Sequence, residues 1–229
     1  RTNQDMNTGN MLSDFDKWLR QIRQDQPFFC YILSKDAHMP YIPPYDYYRR
    51  FNRSPNTVPR QGFARYCRGL EANIRQMLKE DRRVPDAMRR QFIDLYDAGL
   101  AAMDADLSRL TSILRETNKL DNTIIIIMAD HGERFFEHGK IGHAGPTDEA
   151  VVHIPLLILG KGIPQGNTIE SVVRSIDIFP TLAEYTGAEL PDVAMGESLL
   201  PLIFGDSQSL RGLTAFSSYM ENHHSLRDG

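Results

Sequence analysis

Two cysteines, Cys30 and Cys67, in a chain of 229 residues cannot build a disulfide framework. No stretch reaches the roughly 18 apolar residues that a membrane helix needs. A basic surplus is missing too: 26 lysines and arginines face 30 acids, for a net charge of −4 and a pI near 6.0. That balance argues against nucleic acid as a partner, because phosphate binding needs a basic face. The arginines at 49, 50 and 53 and the pair Arg82 and Arg83 form short clusters that read as solvated faces. Arg49, Arg50 and Arg53 follow the His38 segment closely and are secondary candidates for meeting an anionic substrate. Internal repeats and low-complexity segments are absent. No secretory leader is visible, and the compartment stays open.

What the chain does have is enough apolar content, 41%, beside 24% charged residues, to bury one substantial core. Met11, Leu12, Phe15, Trp18, Leu19 and Ile22 fall at helical spacing and predict an amphipathic first helix. Pro27 breaks the pattern before an apolar run, Phe28 to Leu33, that reads as a strand. From Asp36 to about Gln61 the chain reads as a long loop rich in proline and tyrosine. Tyr41, Tyr45, Tyr47 and Tyr48 either line a pocket there or pack the segment down.

Helical spacing resumes over Phe63 to Leu78 and, as one long crossover helix, over Pro85 to Thr117. Asp121 and Asn122 turn the chain into a β-branched run, Thr123 to Met128, of the kind buried on both faces. Further strands are expected at Ile154 to Leu159, Thr168 to Val173 and Leu213 to Tyr219, with a helix from Ile176 to Tyr185 closed by Gly187. Alternation at this spacing predicts an α/β fold: a mostly parallel sheet with helices on both faces. Cys30, in the first apolar run, and Cys67, in the second helix, both read as buried structural cysteines.

The polar burst after Met128 is where chemistry is expected, because ligands in open α/β sheets gather beyond the carboxyl ends of strands. Asp130 and His131 stand there side by side and can present an oxygen and a nitrogen to one divalent cation. Alone, such a pair is as readily an ion pair or a turn cap. Glu133, Glu137, His138 and His143 follow in the same loop, which Gly132, Gly139, Gly142 and Gly145 keep tightly folded. A solvated loop seldom needs so many imidazoles.

Asp130-His131-Gly132-Glu133, Glu137-His138-Gly139, Gly142-His143 and Glu149 before His153-Ile154-Pro155-Leu156 resemble the metal and substrate loop of the sulfatases, within the alkaline phosphatase superfamily. Asp36-Ala37-His38-Met39-Pro40-Tyr41 resembles the family's D-x-H-x-P-Y segment, and Asp177-Ile178-Phe179-Pro180-Thr181-Leu182 its D-x-x-P-T-L helix start. The resemblance runs from about Leu12 to the final residues, which are similar to the start of the family's C-terminal hairpin. It implies one sulfatase-like α/β domain over residues 1–229, as an internal piece of a longer protein. The family's N-terminal acid pair and nucleophile are not in the sequence, and neither cysteine is followed by the proline and arginine of a formylglycine site. Such a piece alone is expected to be inactive.

The activity implied is metal-dependent hydrolysis of sulfate esters, extending to phosphate esters, on small-molecule or glycan- or lipid-linked substrates. Asp130 and His131 are the implied metal ligands, for manganese, zinc, calcium or magnesium, with the imidazole favouring manganese or zinc. If His131 binds through one ring nitrogen, an acceptor should hold the other. His38 is the implied catalytic group, assisting the leaving oxygen, and His143 the substrate-binding one. Many sulfatases carry lysine where His143 stands, whereas phosphoethanolamine transferases resemble this chain there. A phosphoethanolamine or glycerophosphate transferase of the cell envelope and a non-catalytic binding module are therefore the alternatives. His138 is expected to order its loop, with direct participation as the second reading, and His153, His223 and His224 are expected to be structural.

Overall fold

The computed structural model describes residues 8–54, 58–206, 214–219 and 223–228. They group into two compact units: one runs to Asp121 and takes back Arg134–Gly142, and the other holds Asn122–Glu133 and the chain from His143 on.

The first unit is helical. α1 (Thr8–Leu19), α2 (Tyr45–Phe51), α3 (Phe63–Lys79) and the 31-residue α4 (Asp86–Glu116) precede the short hairpin strands β2 (Arg134–Phe135) and β3 (Ile141–Gly142). α4 opens behind Pro85 with Asp86 in its first turn and Arg115 in its last, each suited to the end of the helix dipole it occupies. It closes through Asn118 in the left-handed region, with the Lys119 N–H on the Leu114 carbonyl at 2.8 Å and the Asn118 N–H on the Arg115 carbonyl at 3.0 Å. α3 ends the same way through Asp81.

Phe63, Cys67, Leu70 and Ile74 of α3 and Phe92, Leu95 and Ala98 of α4 form the core with Met39, Tyr41 and Tyr48. The tyrosine-rich stretch therefore packs: Tyr41 lies 4.9 Å from the Phe92 ring centroid, and Tyr48 lies 4.7 Å from that of Phe63. α2 sits inside the stretch expected to be irregular, because Tyr48 gives a short helix one fully buried anchor. Arg53, a candidate anion ligand by its position in the sequence, instead pairs through Nε with the buried carboxylate of Asp94 at 2.7 Å.

Phe28 to Leu33 has no ladder partner among the described residues, so the expected strand is not formed. Phe29 and Tyr31 are 80% and 75% exposed, and Cys30 between them is exposed as well. That corrects the expectation of two buried cysteines; only Cys67 is buried, and its desolvation pushes the thiol up to about 12.

In the second unit β1 (Ile125–Met128) pairs with β4 (Leu156–Leu159), and α5 (Glu149–Val152) lies between them in sequence. α6 (Ile178–Thr186), α7 (Leu200–Ile203) and the hairpin of β5 (Thr214–Tyr219) and β6 (His223–Asp228) come next. Leu199, Leu200, Leu202 and Ile203 pack with Leu156, Ile158 and Ile178 as its core. α6 ends at Gly187 as expected, in the left-handed region, with the Ala188 N–H on the Ala183 carbonyl at 2.9 Å.

The ladders among the described residues are antiparallel, not parallel as the alternation of elements suggested. The apolar runs of β1 and β4 were legible, but a run does not state its partner's direction. Here the chain leaves β1, turns through the histidine loop and returns alongside it, Ile125 opposite Leu159. Thr168 to Val173 forms no strand, and Leu213, where the last strand was expected to start, lies outside the described residues. No helix among the described residues is long and apolar enough to cross a membrane.

Candidate functional site

β1 delivers the chain to Asp130 and His131, and Gly132 fixes the backbone immediately beyond them. Its N–H donates to the Val151 carbonyl at 2.7 Å, and a Cβ at this position would stand 2.2 Å from the Ala150 carbonyl oxygen. No side chain fits there. The glycine is required by close backbone approach to α5, not by an unusual φ.

That contact pins the residues on either side. The Asp130 Oδ1 accepts the His131 backbone N–H at 3.0 Å, which sets the carboxylate beside the imidazole, with Oδ1 3.7 Å from His131 Nε2. His131 Nδ1 lies 2.9 Å from the Gly132 carbonyl oxygen. A carbonyl only accepts, so Nδ1 carries the proton and Nε2 is the metal-competent nitrogen. The acceptor expected behind a metal-binding His131 is thus in place.

His143 returns to this point from the other end of the loop. Its ring stacks on His131 with centroids 3.9 Å apart and planes 30° from parallel. Its Nδ1 lies 3.3 Å from Glu133 Oε1, and the Glu133 carboxyl is 8% exposed. Glu133 was visible in the motif but had no task assigned; its adjacency to Asp130, His131 and Gly132 was the only signal. Asp130, His131, Glu133 and His143 therefore form one cluster within the second unit.

The other histidines lie elsewhere. His153 pairs with Glu149, Nδ1 to Oε1 at 3.0 Å, and the same carboxylate accepts from Arg227 Nη1. That hydrogen bond from Arg227 holds the Glu149 carboxyl below its ordinary pKa range. His224 Nδ1 lies 3.1 Å from Ser218 Oγ across the β5–β6 hairpin, and the side chain of His223 lies outside the described residues. His38 and His138 belong to the first unit. His138 is exposed at the β2–β3 turn with φ of 53°. His38 closes a turn through its own N–H on the Lys35 carbonyl at 3.0 Å, and its Nδ1 sits 2.5 Å from the Met39 carbonyl oxygen, placing the proton on Nδ1.

The Asp130 and His131 donor atoms, 3.7 Å apart, can both reach one cation at bond lengths of about 2.1 Å. The carboxylate and imidazole suit manganese or zinc by donor type. Among the described residues no three His, Cys, Asp or Glu side chains converge as a metal-holding group. The pair is two ligands, not a full shell.

Residues 1–188 match the sulfatase family. The chain belongs to that family. Over 121 residues this sulfatase-family chain is 40% identical to arylsulfatase K of Canis lupus familiaris, a match covering 52% of the chain and 22% of that protein. The matched stretch thus spans about a fifth of the length of that relative. A protein solved in complex with its substrate D-glucosamine-2-N,6-O-disulfate is similar with a TM-score of 0.73 at 18% identity, over 96% of this chain and 57% of that one. The phosphonate monoester hydrolase of Agrobacterium radiobacter is similar with a TM-score of 0.71 at 25% identity, over 91% and 44%. The fold is that of the alkaline phosphatases and sulfatases.

Proposed function

We propose that this chain supplies one part of the active site of a metal-dependent sulfate ester hydrolase. The observation that carries the reading is the pairing of Asp130 Oδ1 with His131 Nε2 at 3.7 Å, with the other ring nitrogen of His131 tied to the Gly132 carbonyl. Asp130 and His131 would hold a divalent cation, whose charge, when bound, offsets the repulsion between a tetrahedral anion and its nucleophile.

Side chains of this chain take two further tasks. His143, when protonated on both ring nitrogens, donates Nδ1–H to Glu133 and Nε2–H to an oxygen of the transferred anion. His38, its Nδ1–H held on the Met39 carbonyl, gives a proton from Nε2 of its imidazolium form to the departing oxygen, which leaves as an alcohol rather than an alkoxide while the ring returns to the neutral Nδ1–H tautomer. Glu133 holds the His143 ring through Nδ1–H, so the ring does not need to reorient during turnover.

The substrate class proposed is a sulfate monoester borne by a small molecule, glycan or lipid. Phosphate-type esters are the second reading, favoured by histidine rather than lysine at 143 and by the likeness to the Agrobacterium phosphonate monoester hydrolase. A side-by-side assay of aryl sulfate, aryl phosphate and phosphonate monoesters on the intact protein tests both. Turnover of the sulfate ester above the others supports the first reading, and transfer to an acceptor lipid without hydrolysis would replace both with the transferase. His131→Ala should lower bound metal and activity together; unchanged metal stoichiometry would remove it from the ligand set.

A further inference from the structure

Asp36 is the one charged residue of segment 36–41 that has no task in the chemistry of His38, His143 and the metal pair. It is not an acid partner of His38: that ring turns its Nδ1 to the Met39 carbonyl oxygen, 2.5 Å away. The Asp36 carboxylate is engaged elsewhere. Its Oδ2 accepts the Thr8 backbone N–H at 3.1 Å and the Ser34 hydroxyl at 3.2 Å, and lies within hydrogen-bonding distance of the Thr8 hydroxyl. Thr8 is the first residue of the 12-residue α1, so the carboxylate accepts a backbone N–H at the N-terminal end of the helix, where the dipole is positive.

α1 is itself fastened to α4, since Arg109 donates through Nη1 to the Gly9 carbonyl at 3.0 Å and through Nη2 to Ser13 Oγ at 3.0 Å. α4 then meets the backbone of Asp36 directly. Gly99 lies in the middle of α4, and a Cβ there would stand 3.0 Å from the Asp36 carbonyl oxygen. A glycine inside a long helix costs helix stability relative to alanine, so its presence at this contact answers to the approach and not to the helix. Two residues beyond that carbonyl comes His38.

We propose that Asp36 and Gly99 are positioning residues for His38: the carboxylate anchors the His38 turn to α1 while the bare Gly99 backbone lets the turn seat against α4. The inference rests on the assignment of His38 to the leaving group. A methyl group at 99 presses on the carbonyl two residues before the imidazole, which must give by a few tenths of an ångström, a fraction of the ~1 Å misplacement that costs on the order of 10²-fold in rate.

The test compares Gly99→Ala, Asp36→Ala, Asp36→Asn and His38→Ala in the intact protein. Gly69→Ala in α3, where an added Cβ meets nothing within 4 Å, serves as the control. Gly99→Ala should lower kcat on sulfate esters with poor leaving groups by about 3- to 10-fold, with KM little changed and smaller losses on activated aryl esters. Asp36→Asn, which keeps an acceptor oxygen, should retain more activity than Asp36→Ala, and Gly99→Ala should add no loss on a His38→Ala background. Equal losses on both substrate classes, or losses that multiply with His38→Ala, would overturn the proposal.

The ring NMR resonances of His38, assigned through His38→Ala, give a readout independent of turnover. They should move in Gly99→Ala and Asp36→Ala and stay in Gly69→Ala; unmoved resonances in Gly99→Ala also overturn positioning. If His38→Ala shows no dependence on leaving group, the acid assignment fails and the resonances alone decide whether the clamp exists.

Discussion

The imidazoles of His131 and His143, twelve positions apart in the chain, lie stacked with ring centroids 3.9 Å apart. The contact places a candidate metal ligand against a candidate substrate ligand. Beside it, Gly132 brings the backbone into direct contact with α5. Each ring is held from behind by an oxygen acceptor, Gly132 carbonyl for one and Glu133 carboxylate for the other.

Glu133 should behave as an orienting group. Glu133→Ala is expected to lower kcat/KM by about 10- to 100-fold, the range seen when a partner behind a site histidine is removed. Glu133→Gln retains an oxygen acceptor for Nδ1–H and should keep most of that activity. Steady-state kinetics on the three proteins decides it, and equal losses in both variants would make the negative charge, not the orientation, the relevant property.

Asp177 should be a structural keystone of the second unit. It is fully buried and accepts the Arg174 backbone N–H at 2.8 Å, Arg174 Nη2 at 2.8 Å and the Glu197 N–H at 2.9 Å. That hydrogen bond to Asp177 raises the Arg174 pKa further. Asp177→Ala strands a largely buried guanidinium and two N–H groups, and should cost about 3–5 kcal/mol. Denaturant unfolding of the protein measures this; a loss below about 1 kcal/mol would show that solvent replaces the lost acceptor.

Asp106 gives a prediction with a pH signature. Partial burial raises its pKa, the Asp36 charge raises it further, and Arg109 opposes both. A carboxyl raised in the folded protein ionises more readily in the unfolded chain, so stability is lost as pH climbs through the carboxylate range and stays lowered at neutrality. Asp106→Asn should therefore raise Tm at pH 7 by about 1–2 °C and lose that advantage below about pH 3. An advantage independent of pH would trace to packing instead.

The two cysteines should separate cleanly in an alkylation experiment. Cys30 is exposed, and its pKa is raised only by partial burial, whereas the Cys67 thiol is buried and pushed up to about 12. Iodoacetamide at pH 8 should label one thiol per chain under native conditions and two after unfolding, with peptide mapping placing the first at Cys30. Labelling of Cys67 in the folded protein would mean that α3 opens locally.

Much of the architecture was legible from residue order. The period of α4, the apolar runs of β1 and β4 and the Gly187 stop of α6 are local signals, each carried within a single element. So was the site's core, since Asp130, His131 and Gly132 are consecutive. What was not legible lay between distant residues. Phe28 to Leu33 has the composition of a strand, yet a strand is a statement about its neighbours, and without a ladder Cys30 is exposed. Tyr48 anchors a short helix in a stretch read as irregular because Phe63, fifteen residues on, lies where Tyr48 can bury its ring.

The sequence by itself determined the family, the helical periods and which residue types crowd the loop after β1, because spacing and composition are properties of the chain alone. Tertiary structure decided which oxygen each histidine nitrogen meets, which glycine stands against which carbonyl, and that β4 runs antiparallel to β1. Those are contacts of a few ångströms between groups brought together only when the backbone closes, and no local pattern encodes a distance.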